Sequence, residues 1–224
     1  MIKYSRLLIM FSTVLLLSSM ALVQPKKVFF FGDSITSHGP DADGFITLMQ
    51  KRLKDERKTD QFELFGAGVP GNKVYDLFFR LKQDILDKAP DVVVIYIGIN
   101  DVWHKAEFGT GTDEGRYISF YSSMIEILKS KGIRVILCTP SIIGEKKNFV
   151  NPQDGGLNQY SQIVRDLALK YECDLVDLRK AMVEYEIKNN TADVEKGVLT
   201  RDRVHMNATG NKFIADTMYP IIFK

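Results

Sequence analysis

Val28-Phe29-Phe30-Phe31-Gly32-Asp33-Ser34-Ile35-Thr36 begins with four apolar residues and breaks at a glycine, an acid and a hydroxyl residue. A short apolar run bounded by glycine predicts a buried strand over residues 27–31. Phe45, Leu48, Met49 and Leu53, at helical spacing, predict an amphipathic helix beyond it. Ser34 thereby falls at the carboxyl edge of a sheet, where open α/β folds bind ligands. A serine in that place is by itself more often a helix N-cap than a catalyst. Its hydroxyl becomes a useful nucleophile only when a base, oriented by a third group, takes its proton.

Outward from this stretch, further strands are expected at 61–65, 91–97, 133–138 and 174–177. Helical stripes lie between them: Val74, Leu77, Phe78, Leu81 and Ile85; Tyr117, Phe120, Tyr121, Met124, Ile127 and Leu128; Tyr160, Ile163, Val164 and Leu167. Strands alternating with helices imply right-handed crossovers and a five-stranded parallel sheet covered on both faces, a three-layer α/β/α sandwich. Residues 102–115 and 140–157 are rich in Gly, Asn, Asp and Pro and are expected as long loops walling the site. The polar stretch 184–196 is expected as a solvated helix end and loop.

The N-terminus is of another kind. Lys3 and Arg6 precede the mostly apolar Leu7–Leu17, and Ser19-Met20-Ala21 offers small residues at the spacing of a cleavage site, so residues 1–21 are expected as a signal peptide. The apolar run falls short of the roughly 20 residues that span a bilayer. The mature chain, 22–224, is then a single domain, secreted or periplasmic, with no stable membrane insertion after cleavage. Of 30 basic residues Lys3 and Arg6 are lost on cleavage, leaving 28 against 28 acidic ones. So balanced a charge excludes the basic field that nucleic-acid binding requires. Cys138 ends one predicted strand and Cys173 precedes another, which puts them at opposite ends of parallel neighbours and argues against a disulfide.

Three further constellations carry chemistry. Gly66-Ala67-Gly68-Val69-Pro70-Gly71-Asn72 contains a G-x-G-x-x-G spacing, but it follows the second strand and Pro70 removes an amide, so a dinucleotide site is a weak reading. The better one is a glycine, Gly71, whose N–H closely approaches a ligand. Gly98-Ile99-Asn100-Asp101 ends the third strand, and its Asn100 amide can serve as a fixed donor to a developing negative charge. Asp202 and His205 are three apart, close enough for the carboxylate to fix the imidazole tautomer. His38 and His104, the other two histidines, are the rival bases.

Gly32-Asp33-Ser34-Ile35-Thr36, Gly71-Asn72, Gly98-x-Asn100-Asp101 and Asp202-x-x-His205 together resemble the four ordered blocks of the SGNH hydrolases, the GDSL esterases and lipases, over residues 27–217. The resemblance implies a flavodoxin-like fold and a serine esterase with Ser34 as nucleophile, His205 as base and Asp202 as its orienter. It also implies an oxyanion hole from the N–H groups of Ser34 and Gly71 and the Asn100 side chain. Neither a metal nor an organic cofactor is needed. Asp33, Asp101 and Trp103 are the substrate-binding candidates, and Arg203 stands where many members carry a small residue.

Two readings of other classes compete. A noncatalytic carbohydrate-binding module on the same fold predicts a decayed triad, and a phosphotransferase would use Asp33 as nucleophile. Within the esterase reading the substrate is a small-molecule or carbohydrate ester. The expected rim carries His104, Lys105, Asp113, Glu114, Glu145, Lys146, Lys147, Asn148 and Asp154 besides Trp103 and Phe108. That polarity predicts short acyl groups, carbohydrate O-acetyl among them, over lysophospholipid or thioester chains.

Overall fold

The computed structural model describes residues 24–224; the expected signal peptide lies outside the described residues. Five parallel strands form one sheet in the order β2-β1-β3-β4-β5: β1 (Lys26–Gly32), β2 (Phe62–Gly68), β3 (Val92–Tyr96), β4 (Arg134–Cys138) and β5 (Asp174–Val176). This is the flavodoxin-like order, in which successive strands are added on one side of β1 and then, from β3, on the other. Val28–Phe31 and the whole of β3 are buried, as strands covered on both faces require. Helices α2 (Phe45–Asp55) and α8 (Ala208–Ile222) pack together on one face, and α3 (Val74–Asp84), α5 (Glu114–Ser130) and α6 (Asp154–Lys170) cover the other. The short α1 (Ser34–Ser37) leaves the tip of β1, α4 (Ile99–Phe108) follows β3, and α7 (Leu178–Asn189) follows β5.

β2 runs three residues past its predicted end, pairing Phe30 with Gly66 and Gly32 with Gly68. The reason is steric. A Cβ at Gly68 would lie 2.1 Å from the Ser37 nitrogen and 2.6 Å from the Asp33 carbonyl oxygen, so only glycine lets β2 continue against α1. The G-x-G-x-x-G spacing therefore serves backbone packing beneath Ser34.

Two expected loops need correction. Residues 102–108 are helical, because α4 starts at Ile99 directly after Gly98 (φ +133°) and turns Val102 inward, its Cγ1 only 2.8 Å from where a Cβ on Gly156 would stand. Residues 140–153 are irregular as expected, but Ser141–Glu145 and Asp154 are buried, so Glu145 and Asp154 do not contribute to a polar rim. The stretch 184–196 likewise holds two buried polar residues, Glu186 and Asn190, where only a solvated segment was expected. Asp174 pairs with Ile136 and Val176 with Cys138, so Cys173 lies at the far end of the ladder from Cys138, and both thiols are free.

Candidate active site

Ser34 is the first residue of α1, and its cap is Asp33, not itself: Asp33 Oδ1 accepts the Ile35 N–H at 3.0 Å. Gly32 allows the sharp exit from β1, since a Cβ there would lie 2.4 Å from the Tyr96 carbonyl oxygen. The Ser34 side chain is thus presented at the carboxyl edge of the sheet, at the switch point between β1 and β3.

His205 comes to it from the loop before α8. Its Nε2 lies 3.0 Å from Ser34 Oγ, and its Nδ1 lies 2.7 Å from Asp202 Oδ2. A carboxylate can only accept, so Nδ1 carries the proton and the Nε2 lone pair faces the serine hydroxyl. Asp202 is held by its own turn, Oδ1 accepting the N–H groups of Val204 (3.1 Å) and His205 (2.8 Å). Partial burial pushes the Asp202 carboxyl up, but the His205 and Val204 hydrogen bonds outweigh that and keep it below the ordinary carboxylate range, ionised and able to steady an imidazolium. The pair is open to solvent, the His205 side chain 23 % exposed and that of Asp202 47 %.

The candidate oxyanion donors lie on the loops after β1, β2 and β3. Asn100 is buried in the first turn of α4, and its Nδ2 donates to the Asn72 carbonyl at 3.0 Å, which fixes the amide and leaves its second hydrogen free to donate. Gly71 sits one residue earlier at φ +79° in open space, a backbone conformation that side chains avoid. Arg80 of α3, which sequence reasoning missed, ties these loops from below. Its guanidinium donates to the Gly32 carbonyl (2.7 Å), the Ala67 carbonyl (3.0 Å) and Asn72 Oδ1 (2.7 Å).

Asp33 and Asp101, read from sequence as substrate-binding candidates, are buried, 2 % and 0 % exposed, and each gives one oxygen to the backbone, Asp33 Oδ1 to the Ile35 N–H and Asp101 Oδ1 to the Val74 N–H. Burial, aided for Asp33 by the neighbouring Asp101, raises the Asp33 carboxyl to about 7, and burial raises Asp101 to about 6. Asp33, buried and bonded to the Ile35 N–H, presents no exposed carboxylate of the kind that the phosphotransferase reading requires. Trp103 is half-buried against the core, three residues beyond Asn100 on α4. Among the rival bases, His104 lies on α4 beside Trp103 and Phe108, away from Ser34's hydrogen bond.

His38 is another matter. It has a carboxylate of its own in Asp41, at the same three-residue spacing as Asp202 and His205. The two are bonded, Nδ1 to Oδ2 at 2.9 Å, and the His38 ring stands edge-on to His205 at 5.8 Å with the Arg201 guanidinium 3.3 Å from its Nε2. His205, not His38, makes the bond to Ser34, so His38, Asp41 and Arg201 form an exposed polar flank to the site.

The sequence profile of the GDSL-like lipase/acylhydrolase family matches residues 30–213, a span holding the Ser34, Gly71, Asn100 and Asp202–His205 blocks. The chain belongs to this family. GDSL-family members among its relatives are carboxylic ester hydrolases, and so is this one. The crystal structure of an acetyl xylan esterase, AlAXEase, is 53 % identical and superposes with a TM-score of 0.87 over 88 % of this chain and all of that one. The acetylxylan esterase of Geobacillus stearothermophilus is 27 % identical over 205 residues, covering 85 % of this chain and 90 % of its own. The human isoamyl acetate-hydrolyzing esterase 1 homolog is 28 % identical over 222 residues, covering 91 % and 84 %. The GDSL frame therefore extends over nearly all the described residues.

Proposed function

We propose that the chain is a serine esterase that removes short acyl groups, acetyl foremost, from carbohydrate esters. The observation that carries this is the unbroken line Ser34–His205–Asp202, with spacings of 3.0 and 2.7 Å. In that reading Ser34 Oγ attacks the ester carbonyl carbon as its proton passes to His205 Nε2, while Asp202 stabilises the imidazolium. The N–H groups of Ser34 and Gly71 and the Asn100 amide receive the oxyanion. Collapse breaks the acyl–oxygen bond, and His205 returns the proton to the departing alcohol. Water, deprotonated by His205, then releases the acid from the acyl-serine. A complete set of Ser, His and Asp is the opposite of what a noncatalytic binding module predicts.

The substrate class draws support from two sides. Relatives named for acetyl esters flank the chain in sequence and fold. The exposed flank of His38, Asp41 and Arg201 offers hydrogen-bonding groups to a hydroxyl-rich leaving group. Export follows from the basic and apolar character of residues 1–21, and the N-terminus of secreted protein is expected near Leu22. Among the described residues no helix is long and apolar enough to cross a membrane.

Replacing Ser34 or His205 by Ala should each cost roughly 10⁴-fold or more in kcat, and the double change little more, because the residues act as one unit. Additive losses would break the triad reading. In a p-nitrophenyl ester series kcat/KM should peak at about two to four acyl carbons, as a site selective for acetyl and its near homologues requires. A maximum at twelve carbons or so, roughly three times that length, would overturn the short-acyl assignment.

A further inference from the structure

Glu145 is fully buried, 0 % exposed, in a loop that sequence alone assigns to the rim. Its carboxylate faces inward and gathers the backbone just ahead of Asp202. Oε2 accepts the Val198 N–H at 2.7 Å; Oε1 accepts the Leu199 N–H at 2.9 Å, the Thr200 N–H, and the Thr200 hydroxyl at 2.6 Å. Four donors on one carboxylate, three of them successive backbone amides, form an anion cradle whose anion is supplied by the chain itself.

The cradle continues into the Asp202–His205 turn. Thr200 Oγ1, whose hydroxyl hydrogen is donated to Glu145 Oε1, accepts the Arg203 N–H at 3.2 Å, and the Gly144 N–H donates to the Arg203 carbonyl at 2.8 Å. Arg203 is thus gripped on both sides of its α-carbon, and its φ of +88° is one a non-glycine residue keeps only under such constraint. Thr200 and Met206 pair as an antiparallel bridge, and Arg201 N–H donates to the His205 carbonyl at 2.9 Å, closing the turn that carries both catalytic candidates.

We infer that Glu145 is a positioning residue for the reaction: through Thr200 and Arg203 it sets the turn that aims His205 at Ser34. This rests on the reading of Ser34, His205 and Asp202 as the catalytic residues. Glu145 touches no substrate. An aspartate would be too short to reach all four donors, and a glutamine would turn an NH₂ toward one of them.

The test is a pair of variants in the full chain, Glu145→Gln and Thr200→Val, with Thr200→Ser as the conservative control and Ser34→Ala beside them. Steady-state hydrolysis of p-nitrophenyl acetate is followed together with thermal unfolding and the low-field proton resonance of the His205–Asp202 hydrogen bond. Glu145→Gln and Thr200→Val should each lower kcat by about 10- to 100-fold, the scale that a misplacement of about 1 Å carries. KM should stay within about twofold, and the low-field resonance should weaken or vanish. Thr200→Ser, which keeps the hydroxyl, should restore most of kcat. Should Glu145→Gln fail to fold, Thr200→Val and Thr200→Ser decide. Folded Thr200→Val enzyme with wild-type kcat and resonance, or losses that only track the fraction unfolded, would overturn the inference. Activity persisting in Ser34→Ala would instead overturn the catalytic reading on which it rests.

Discussion

Ser34 and His205 meet across 3.0 Å, yet the backbone that carries each is held in a different way. The serine side is fixed by close approach. Glycines 32 and 68 let β1, β2 and α1 touch where any side chain would collide, and Asp33 caps the turn from one residue away. The histidine side has one such approach, at Gly210 of α8, where a Cβ would lie 2.0 Å from the Leu199 carbonyl oxygen, but the turn beyond it is held by hydrogen bonds. Its turn is suspended from a buried carboxylate 55 residues earlier in the chain, at Glu145. A contact surface without Cβ atoms tolerates no added volume, whereas a hydrogen-bonded cradle tolerates changes of volume better than changes of donor and acceptor. The two halves should therefore fail in different currencies: stability for the serine side, turnover for the histidine side.

The sharpest way to break this comparison is Gly68→Ala. The new methyl would stand 2.1 Å from the Ser37 nitrogen and 2.5 Å from the Thr36 carbonyl carbon, backbone atoms that cannot swing away. A loss of at least about 3 kcal/mol is expected, on the order of 10 °C in Tm for a domain of this size, with activity lost as Ser34 is displaced. Gly155→Ala, in α6 with no heavy atom within 4 Å of the new methyl, is the control and should leave Tm unchanged or slightly raised. Equal losses from the two would show that backbone approach does not hold the serine side.

A smaller effect should separate chemistry from packing on that same side. Asn100→Ala removes the amide but not the helix that presents it, so kcat should fall by roughly 10²- to 10³-fold, the usual cost of one oxyanion donor. Because Nδ2 also donates to the Asn72 carbonyl, Tm should fall as well, by the few degrees that about 1 kcal/mol represents. Unchanged kcat would remove Asn100 from the oxyanion role.

The contrast also explains what could be read from residues alone. The nucleophile half is written in consecutive positions, a strand, a glycine, a capping acid and a serine, and the parallel sheet and the donors after its strands follow from local pattern. Asp202 and His205 were legible because their pairing is local too. Glu145 was not, since no periodicity or motif shows that a glutamate between Gly144 and Lys146 points inward; only the fold brings residues 198–200 to it. Arg80 was hidden for the same reason, its three acceptors lying on different strands and loops. His38 was open to reading, because Asp41 repeats the spacing of the pair that was recognised. The loop expected at 102–115 failed over 102–108 on a physical point: these polar residues lie on a helix that is buried only at its first four residues, Ile99–Val102.

The mildest probe concerns the ground on which the histidine side is built. Glu186, in α7, is 3 % exposed, and burial followed by the nearby Glu145 carboxylate raises its carboxyl to about 8; Asp154 adds to this and Arg179 opposes it. In the unfolded chain the same group ionises near 4.5. Between those values the folded protein holds a proton that the unfolded chain has released, so the fold loses stability as pH rises through the window, and the loss levels off above about 8. Glu186→Gln keeps the shape and carries no titrating proton. The variant should match the wild type near pH 4.5 and gain on it steadily toward pH 8, a difference read as a growing gap in Tm. Melting curves of both proteins across that range measure it. A difference that shrinks as pH rises would mean that Glu186 is ionised in the fold, and then Glu145 would have a second negative charge for a neighbour, a poor foundation for the cradle that steadies His205.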